Sequence, residues 1–328
     1  MTSLGVNSGA SLERALAVWF GARRGVARIE RRPSVQQSSF FVDEIDVRFD
    51  DGTSVELFAK AVEWDAMTPG ARAAKPPFLW NPDRERATYE SILAPLGIDG
   101  ARYFGSFITG GVRYLLLERL RGTPVWQFAE FAAWREAAGW LARMHARVGA
   151  SGATCSRAAA HLVQYDRPFY DCWMQRAQAF HESAALETLA AHHPRVVDAL
   201  LAEPATFIHG EFYPANVLVE RRARGVFVVR PVDWEMAALG PALMDVACLL
   251  AGRWSDEERA DLADAYFAER AALGGRVPTR DHYLRTLDCC LVHLSIRNLG
   301  WSREWAPPPD HLHDWLTDAL RLCDKWTL

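Results

Sequence analysis

Two short stretches carry residue types and spacings suited to chemistry on a charged ligand. FIHGEFYPANVLVE, residues 207–220, sets Glu211 and Asn216 in a turn between two apolar runs, and VVRPVDWE, residues 228–235, ends on Asp233 and Glu235. Pairing of residues 215–220 with 225–232 as a hairpin would bring Glu211, Asn216 and Asp233 to one end of it. A carboxylate and an amide oxygen are hard donors of the kind Mg²⁺ takes, because that ion keeps several waters and accepts one or two carboxylates beside substrate phosphates. Asp233 and Asn216 suit metal ligation, Glu235 could add to it, and Glu211 remains to accept a proton from a substrate hydroxyl. Each residue alone is ordinary, since Asn and Asp favour turns for their own local hydrogen bonds.

A third stretch adds a cation. The chain has three lysines, Lys60, Lys75 and Lys325, in a sequence otherwise rich in arginine. Lys60 lies in VELFAKAV among mostly apolar neighbours. A compact ammonium can meet phosphates without the planar fork geometry of arginine. The plainer reading is an edge lysine snorkelling to water. Glu85 or Glu90, on the segment that follows, could hold the ammonium in place, and Glu85 is preferred.

The elements that would position these groups follow from periodicity. Apolar and polar residues alternate on both sides of Asp51-Gly52 and again around Gly110-Gly111, which predicts two hairpins. Between them NPDRERATYESILAPLG reads as one helix, with Pro82 at its start and Gly97 as its stop. After about Gly122 most segments carry helical spacing, interrupted by the two strands of the opening motif. The expected architecture is α+β: an N-terminal helix over 1–25, a small antiparallel β lobe with one helix over 26–121, and a larger, mainly helical lobe over 122–328, with a cleft between lobes where ligand sites form.

Composition narrows the classes further. A net charge of −4 in 328 residues, with 50% hydrophobic and 24% charged residues, fits a soluble globular protein and argues against nucleic acid as the main partner. No apolar run approaches the ~20 residues of a membrane helix, and SLERALAVWFGARR reads as an amphipathic helix, not a signal peptide. The six cysteines, Cys155, Cys172, Cys248, Cys289, Cys290 and Cys323, have no CxxC spacing and read as free thiols of a cytoplasmic protein.

The joint order of these signals resembles the aminoglycoside phosphotransferase and choline kinase family, small-molecule kinases with the protein-kinase-like two-lobe fold. HGEFYPANVLV is similar to that family's HGDxxxxNxLV loop, VDWEMAALGPALMDVA to its IDWExAxxGxPxxDLA segment, and WLARMHA to a helix ending in LArLH. The resemblance implies transfer of the γ-phosphate of ATP to a hydroxyl of a small polar molecule, with Mg²⁺ present. It implies Lys60 on the α and β phosphates with Glu85 as its ion-pair partner, Asn216 and Asp233 on Mg²⁺, and Glu211 at the catalytic-base position. YLLLERLRG, residues 114–122, would be the hinge, with main-chain groups of Glu118 and Leu120 on the adenine edge. His209 would brace the loop and Asp245 support it from the helix below.

Two departures stand out. The family usually has Asp where this chain has Glu211, and a displacement of ~1 Å in such a site can cost ~10²-fold in rate. RRPSVQQSSFF, where a protein kinase has its glycine-rich loop, has no glycine, so backbone N–H groups and the hydroxyls of Ser34, Ser38 and Ser39 would have to cap the phosphates. The competing reading is a nucleotide-binding module of the same fold without turnover; retention of both Asn216 and Asp233 favours the enzyme. Hydrolysis by a metal held on HGE is disfavoured, because no HExxH is present. A cationic acceptor would need acids in the helical lobe, with Asp256, Glu257, Glu258, Asp261, Asp310 and Asp314 as candidates. Trp301, Trp305, His311 and Trp315 could form a sugar-binding wall or belong to the core.

Overall fold

The structure, a computed structural model, describes residues 7–22, 24–35, 39–151, 158–252, 254–303 and 313–327. The chain forms two compact units, one of residues up to Ala73 together with Ala101–Leu120, the other of Ala74–Gly100 together with the chain from Arg121 onward.

The first unit is an antiparallel sheet with a helix against it. Strands β1 (Val26–Pro33), β2 (Val42–Phe49), β3 (Ser54–Ala61), β4 (Tyr103–Thr109) and β5 (Val112–Glu118) lie in the order β1-β2-β3-β5-β4. Alternation along β2 and β3 buries Ile45, Val47, Phe49, Leu57 and Ala59. Helix α1 (Asn7–Gly21) lays Leu12, Leu16 and Phe20, four residues apart, on that surface. Both expected hairpins are present. Gly52 takes φ 81° in the loop that Phe49 and Thr53 close, and Gly110 and Gly111 take φ 58° and 79° in a two-residue turn, left-handed backbone that glycine tolerates. Strand β3 pairs on both sides, so Lys60, opposite Val42 and Leu115, is an interior residue and not an edge lysine.

The second unit is mostly helical. Its helices are α2 (Arg84–Thr88, continuing through a π-helical turn at Tyr89–Leu93 to Leu96), α3 (Phe131–Ala150), α4 (Arg167–Phe180), α5 (Ala184–Ala202), α6 (Leu243–Leu249), α7 (Asp256–Ala272), α8 (Arg280–Leu299) and α9 (Trp315–Trp326). Helix α2 ends at Gly97, left-handed at φ 57°, where the sequence places its stop. Helix α8 is central and is buried on every side from Leu287 to Arg297. Small sheets carry the motifs: β6 (Thr123–Pro124), β8 (Val217–Arg221) and β9 (Phe227–Pro231) form one, and β7 (Ala205–Ile208) pairs antiparallel with β10 (Ala238–Pro241) in another.

Segment 74–100 groups with this unit and not with the strands that flank it in sequence. The reason is visible in its polar contacts. Arg84, 5% exposed, donates to the carbonyls of Leu79 (2.8 Å), His161 (2.8 Å) and Glu235 (2.7 Å). The five described cysteines are free, four of them buried, and Cys155 lies outside the described residues. Among the described residues no helix is long and apolar enough to cross a membrane.

Leu16 is fully buried in the core of the first unit, so Leu16→Ala is expected to lower the unfolding free energy by about 2–5 kcal/mol. Chemical denaturation checks this; an unchanged midpoint would mean that α1 contributes nothing to that core.

Candidate active site

The loop after β7 is fixed from below. Asp245, on α6 and fully buried, accepts the backbone N–H of His209 (2.7 Å, Oδ2) and of Gly210 (2.9 Å, Oδ1). His145 on α3 lies 3.5 Å from Oδ2 and is held by the Tyr266 hydroxyl at 2.9 Å. His209 Nε2 donates to the carbonyl of Val232 at 3.0 Å, and burial pulls its pKa below the ordinary histidine value. Gly210 has φ 80°, and a Cβ there would lie 2.1 Å from the carbonyl oxygen of Met236. Only glycine fits between the loop and the chain that follows Asp233.

That following chain reverses sharply. Asp233 has φ 69° and ψ 65°, a left-handed conformation that a non-glycine residue adopts at a cost of about 1–2 kcal/mol. The reversal tucks Trp234 in fully buried, stacked on Phe207 (5.7 Å) and tilted against His209 (4.3 Å). Asn216 is brought beside it by main-chain bonds, since its carbonyl accepts the N–H of Val232 at 2.9 Å. The Asn216 side chain donates from Nδ2 to the carbonyl of Glu211 at 3.0 Å, which points its amide oxygen the other way.

Glu211 is largely enclosed, with 14% of its side chain exposed, and its Oε1 lies 3.2 Å from Nη2 of Arg297 on α8. Burial raises its pKa to about 7; Arg297 and Lys75 pull it down, while Glu235 and Asp233 push it up. Glu235 is buried and forms an ion pair with Lys75 at 2.9 Å. Burial also lowers Arg84 to about 10. Thus two acids and three cations sit inside one unit, each acid with a cation of its own. Among the described residues no three His, Cys, Asp or Glu side chains converge as a metal cage.

A phosphotransferase enzyme family model, APH, matches residues 84–282, more than half of the chain. The chain belongs to that family. It is a phosphotransferase. The fold is protein-kinase-like, similar to solved structures of low sequence identity. These include an aminoglycoside 2′-phosphotransferase in its GDP complex (12% identity, 96% of each chain covered, TM-score 0.58). A microcompartment-associated aminopropanol kinase has 11% identity, 94% and 95% coverage and a TM-score of 0.59. An aminoglycoside phosphotransferase from Alicyclobacillus acidocaldarius has 14% identity, 100% and 95% coverage and a TM-score of 0.50. No curated protein matches the sequence.

The other predicted residues of this phosphotransferase are found as follows. Lys60 is 7% exposed on β3, with its ammonium 5.4 Å from the centre of the Phe40 ring. Glu85 is buried in the first turn of α2, while Glu90 is exposed and pairs with Arg86 at 2.6 Å. The N–H of Glu118 donates to the carbonyl of Arg102 at 2.8 Å, and Leu120 closes the first unit. Ser34 is buried with its hydroxyl 3.4 Å from Glu44, and the carbonyl of Ser39 accepts the N–H of Thr68 at 3.0 Å. Ser38 lies outside the described residues.

Most acids nominated for a cationic acceptor have structural partners. Asp256 pairs with Arg321 (3.1 Å) and Asp261 with Arg135 (2.6 Å), while Glu258 completes a capping box on α7 and Asp314 caps α9. Trp301 stacks on buried Trp173 at 5.7 Å and 7°. Asp310, Trp305 and His311 lie outside the described residues. Sequence reasoning gave no role to Arg297, Lys75 or Arg84. The one available signal was an arginine inside LVHLSIRNL, a stretch too apolar for a solvent-facing charge.

Gly210→Ala is expected to destabilise the phosphotransferase more than Gly225→Ala. Both positions have left-handed φ, so each pays about 1–2 kcal/mol for gaining a Cβ, but only position 210 adds a clash, since nothing lies within 4 Å of the Cβ position at 225. Thermal unfolding of the two variants side by side measures the difference; equal losses would mean that the contact with Met236 relaxes freely.

Proposed function

We propose that this phosphotransferase moves the γ-phosphate of ATP to a hydroxyl of a small polar molecule, with Glu211 as proton acceptor and Asn216 and Asp233 as Mg²⁺ ligands. The observation that supports the reading is the bond from Val232 N–H to the Asn216 main-chain carbonyl, which sets the backbone of Asn216 next to the segment that leads into the left-handed Asp233, at the base of the loop bearing Glu211. The residues fit the ion: both donors are hard oxygens, and both are only partly buried. Mg²⁺, when bound, would neutralise charge on the transferring phosphoryl group.

Glu211 needs only to orient the acceptor hydroxyl and take its proton, because phosphoryl transfer asks mainly for positioning and charge neutralisation. Glu235, as partner of Lys75, shapes the wall of the site. Lys60, Glu118, Leu120, Ser38 and Ser39 are assigned to the nucleotide, which makes the β-rich unit the nucleotide-binding one and the helical unit the one that carries metal, base and acceptor. His209 and Asp245 hold the loop. Nucleotide use is supported by the GDP complex of the aminoglycoside 2′-phosphotransferase, and a small cationic or sugar-like acceptor by the names of the related enzymes. Free, buried thiols support work in the reducing cytoplasm.

The test is magnesium-dependent ADP release over a panel of amino sugars, aminoglycosides, amino alcohols, choline, macrolides and nucleosides. Release with one acceptor class, reduced at least ~10²-fold by Asp233→Ala, is the expected outcome. Release that ignores Asp233→Ala would remove that residue from the metal site. Lys60→Ala is expected to lower turnover at saturating acceptor, and an unaltered rate would take Lys60 off the nucleotide.

A further inference from the structure

We propose that Arg297 is the positioning residue for Glu211, and that the pair is the reason this loop holds glutamate where the family pattern holds aspartate. The inference rests on the reading of Glu211 as proton acceptor. It starts from the way one guanidinium is used. Arg297 is 2% exposed, and its Nη2 donates to Glu211 Oε1 (3.2 Å) and the Tyr213 hydroxyl (2.6 Å). Its Nη1 donates to the carbonyl of Gly210 (3.1 Å) and the Tyr165 hydroxyl (3.3 Å). A rigid planar fork therefore fixes both the main chain at Gly210 and the carboxylate on the next residue, so the direction of that carboxylate is set from α8.

The geometry also decides the length of the acid. Helix α8 is buried around Arg297 on all sides, so its backbone cannot move toward a shorter partner. An aspartate at position 211 would withdraw its carboxylate by about 1.5 Å, roughly one C–C bond, from a contact already at 3.2 Å, beyond hydrogen-bond reach. The guanidinium would then be buried without an anion, which is strongly unfavourable. Glu235, the other buried glutamate near it, is already paired with Lys75. Conversely, without Arg297 the longer glutamate side chain has one more rotatable bond and nothing to stop it swinging away from the acceptor hydroxyl. Restoring the family's aspartate is thus expected to weaken this enzyme.

The experiment combines turnover with a stability cycle. Mg-ATP turnover is read as ADP release, with water or the panel's best acceptor taking the phosphoryl group, for the wild type, Glu211→Gln, Glu211→Asp, Arg297→Met and Arg297→Lys. Glu211→Asp and Arg297→Met should each lose about 10²-fold in kcat with KM for ATP little changed, and Arg297→Lys should recover part of the loss. In thermal unfolding, Arg297→Met should melt below the wild type, and the double variant Arg297→Met/Glu211→Gln should melt above Arg297→Met, because no lone carboxylate is then left buried. Full turnover in Glu211→Gln, or none in the wild type, overturns the reading of Glu211 as base and this inference with it. Lost turnover in Glu211→Gln with wild-type kcat in Arg297→Met overturns the inference alone. Additive melting losses do the same. Should Arg297→Met fail to fold, Glu211→Asp decides: wild-type kcat there refutes the role given to glutamate.

Discussion

The two N–H groups that meet the Asp245 carboxylate hold the rest of the site in place. A carboxylate with no exposure at all survives burial only if hydrogen bonds replace its water, and here consecutive backbone amides of His209 and Gly210 do so. Two bonds from adjacent residues also fix the orientation of that peptide segment. From it follow the left-handed Gly210, the approach of Met236, the direction in which Glu211 leaves the chain, and the bond of His209 back to Val232. The Asp233 reversal has little freedom once those contacts are made.

Around this anchor the helical unit holds charge in matched pairs. Lys75 lies against Glu235 and Arg297 against Glu211, while Arg84 donates to three main-chain carbonyls and feels the charges of Glu235 and Glu211. Such pairs contribute little net stability, because desolvation offsets their attraction, but breaking one is costly. Their effect is to prescribe geometry. Each joins segments distant in the chain, 86 residues apart for Arg297 and Glu211 and 151 for Arg84 and Glu235, so they tie the loop to the frame that surrounds it.

What could be read from sequence was what local chemistry dictates. Gly52, Gly110 with Gly111, and Gly97 marked turns and a helix stop because only glycine is at ease with left-handed backbone. The HGE and DWE stretches stood out because hard oxygen donors interrupt apolar strands, and their order named the family that the 84–282 match shows. The left-handed state of Asp233 was not readable, since its cause is the packing of Trp234 against Phe207 and His209. Nor was the allegiance of segment 74–100, which depends on where the three carbonyls that bind Arg84 arrive in space. Buried arginines look like surface ones in a chain with many of them, until the partner is known.

The π-helical turn at Tyr89–Leu93 bears on how the chain tolerates changes of length. A wide turn of this kind takes up one residue more than a regular helix would, without breaking the helix on either side. Upstream of it, Arg84 is locked by three carbonyls; downstream, the helix closes at Gly97, where Ile98 N–H returns to the carbonyl of Leu93. Deleting a single residue from that turn would return it to regular α-helix, whereas deleting one on either side of it would rotate the two halves against each other by about 100°, the angle of one helical residue. Both ends being fixed, the regular turns have no slack to absorb that twist, so the wide turn is the one place in this helix where the loss of a residue is accommodated.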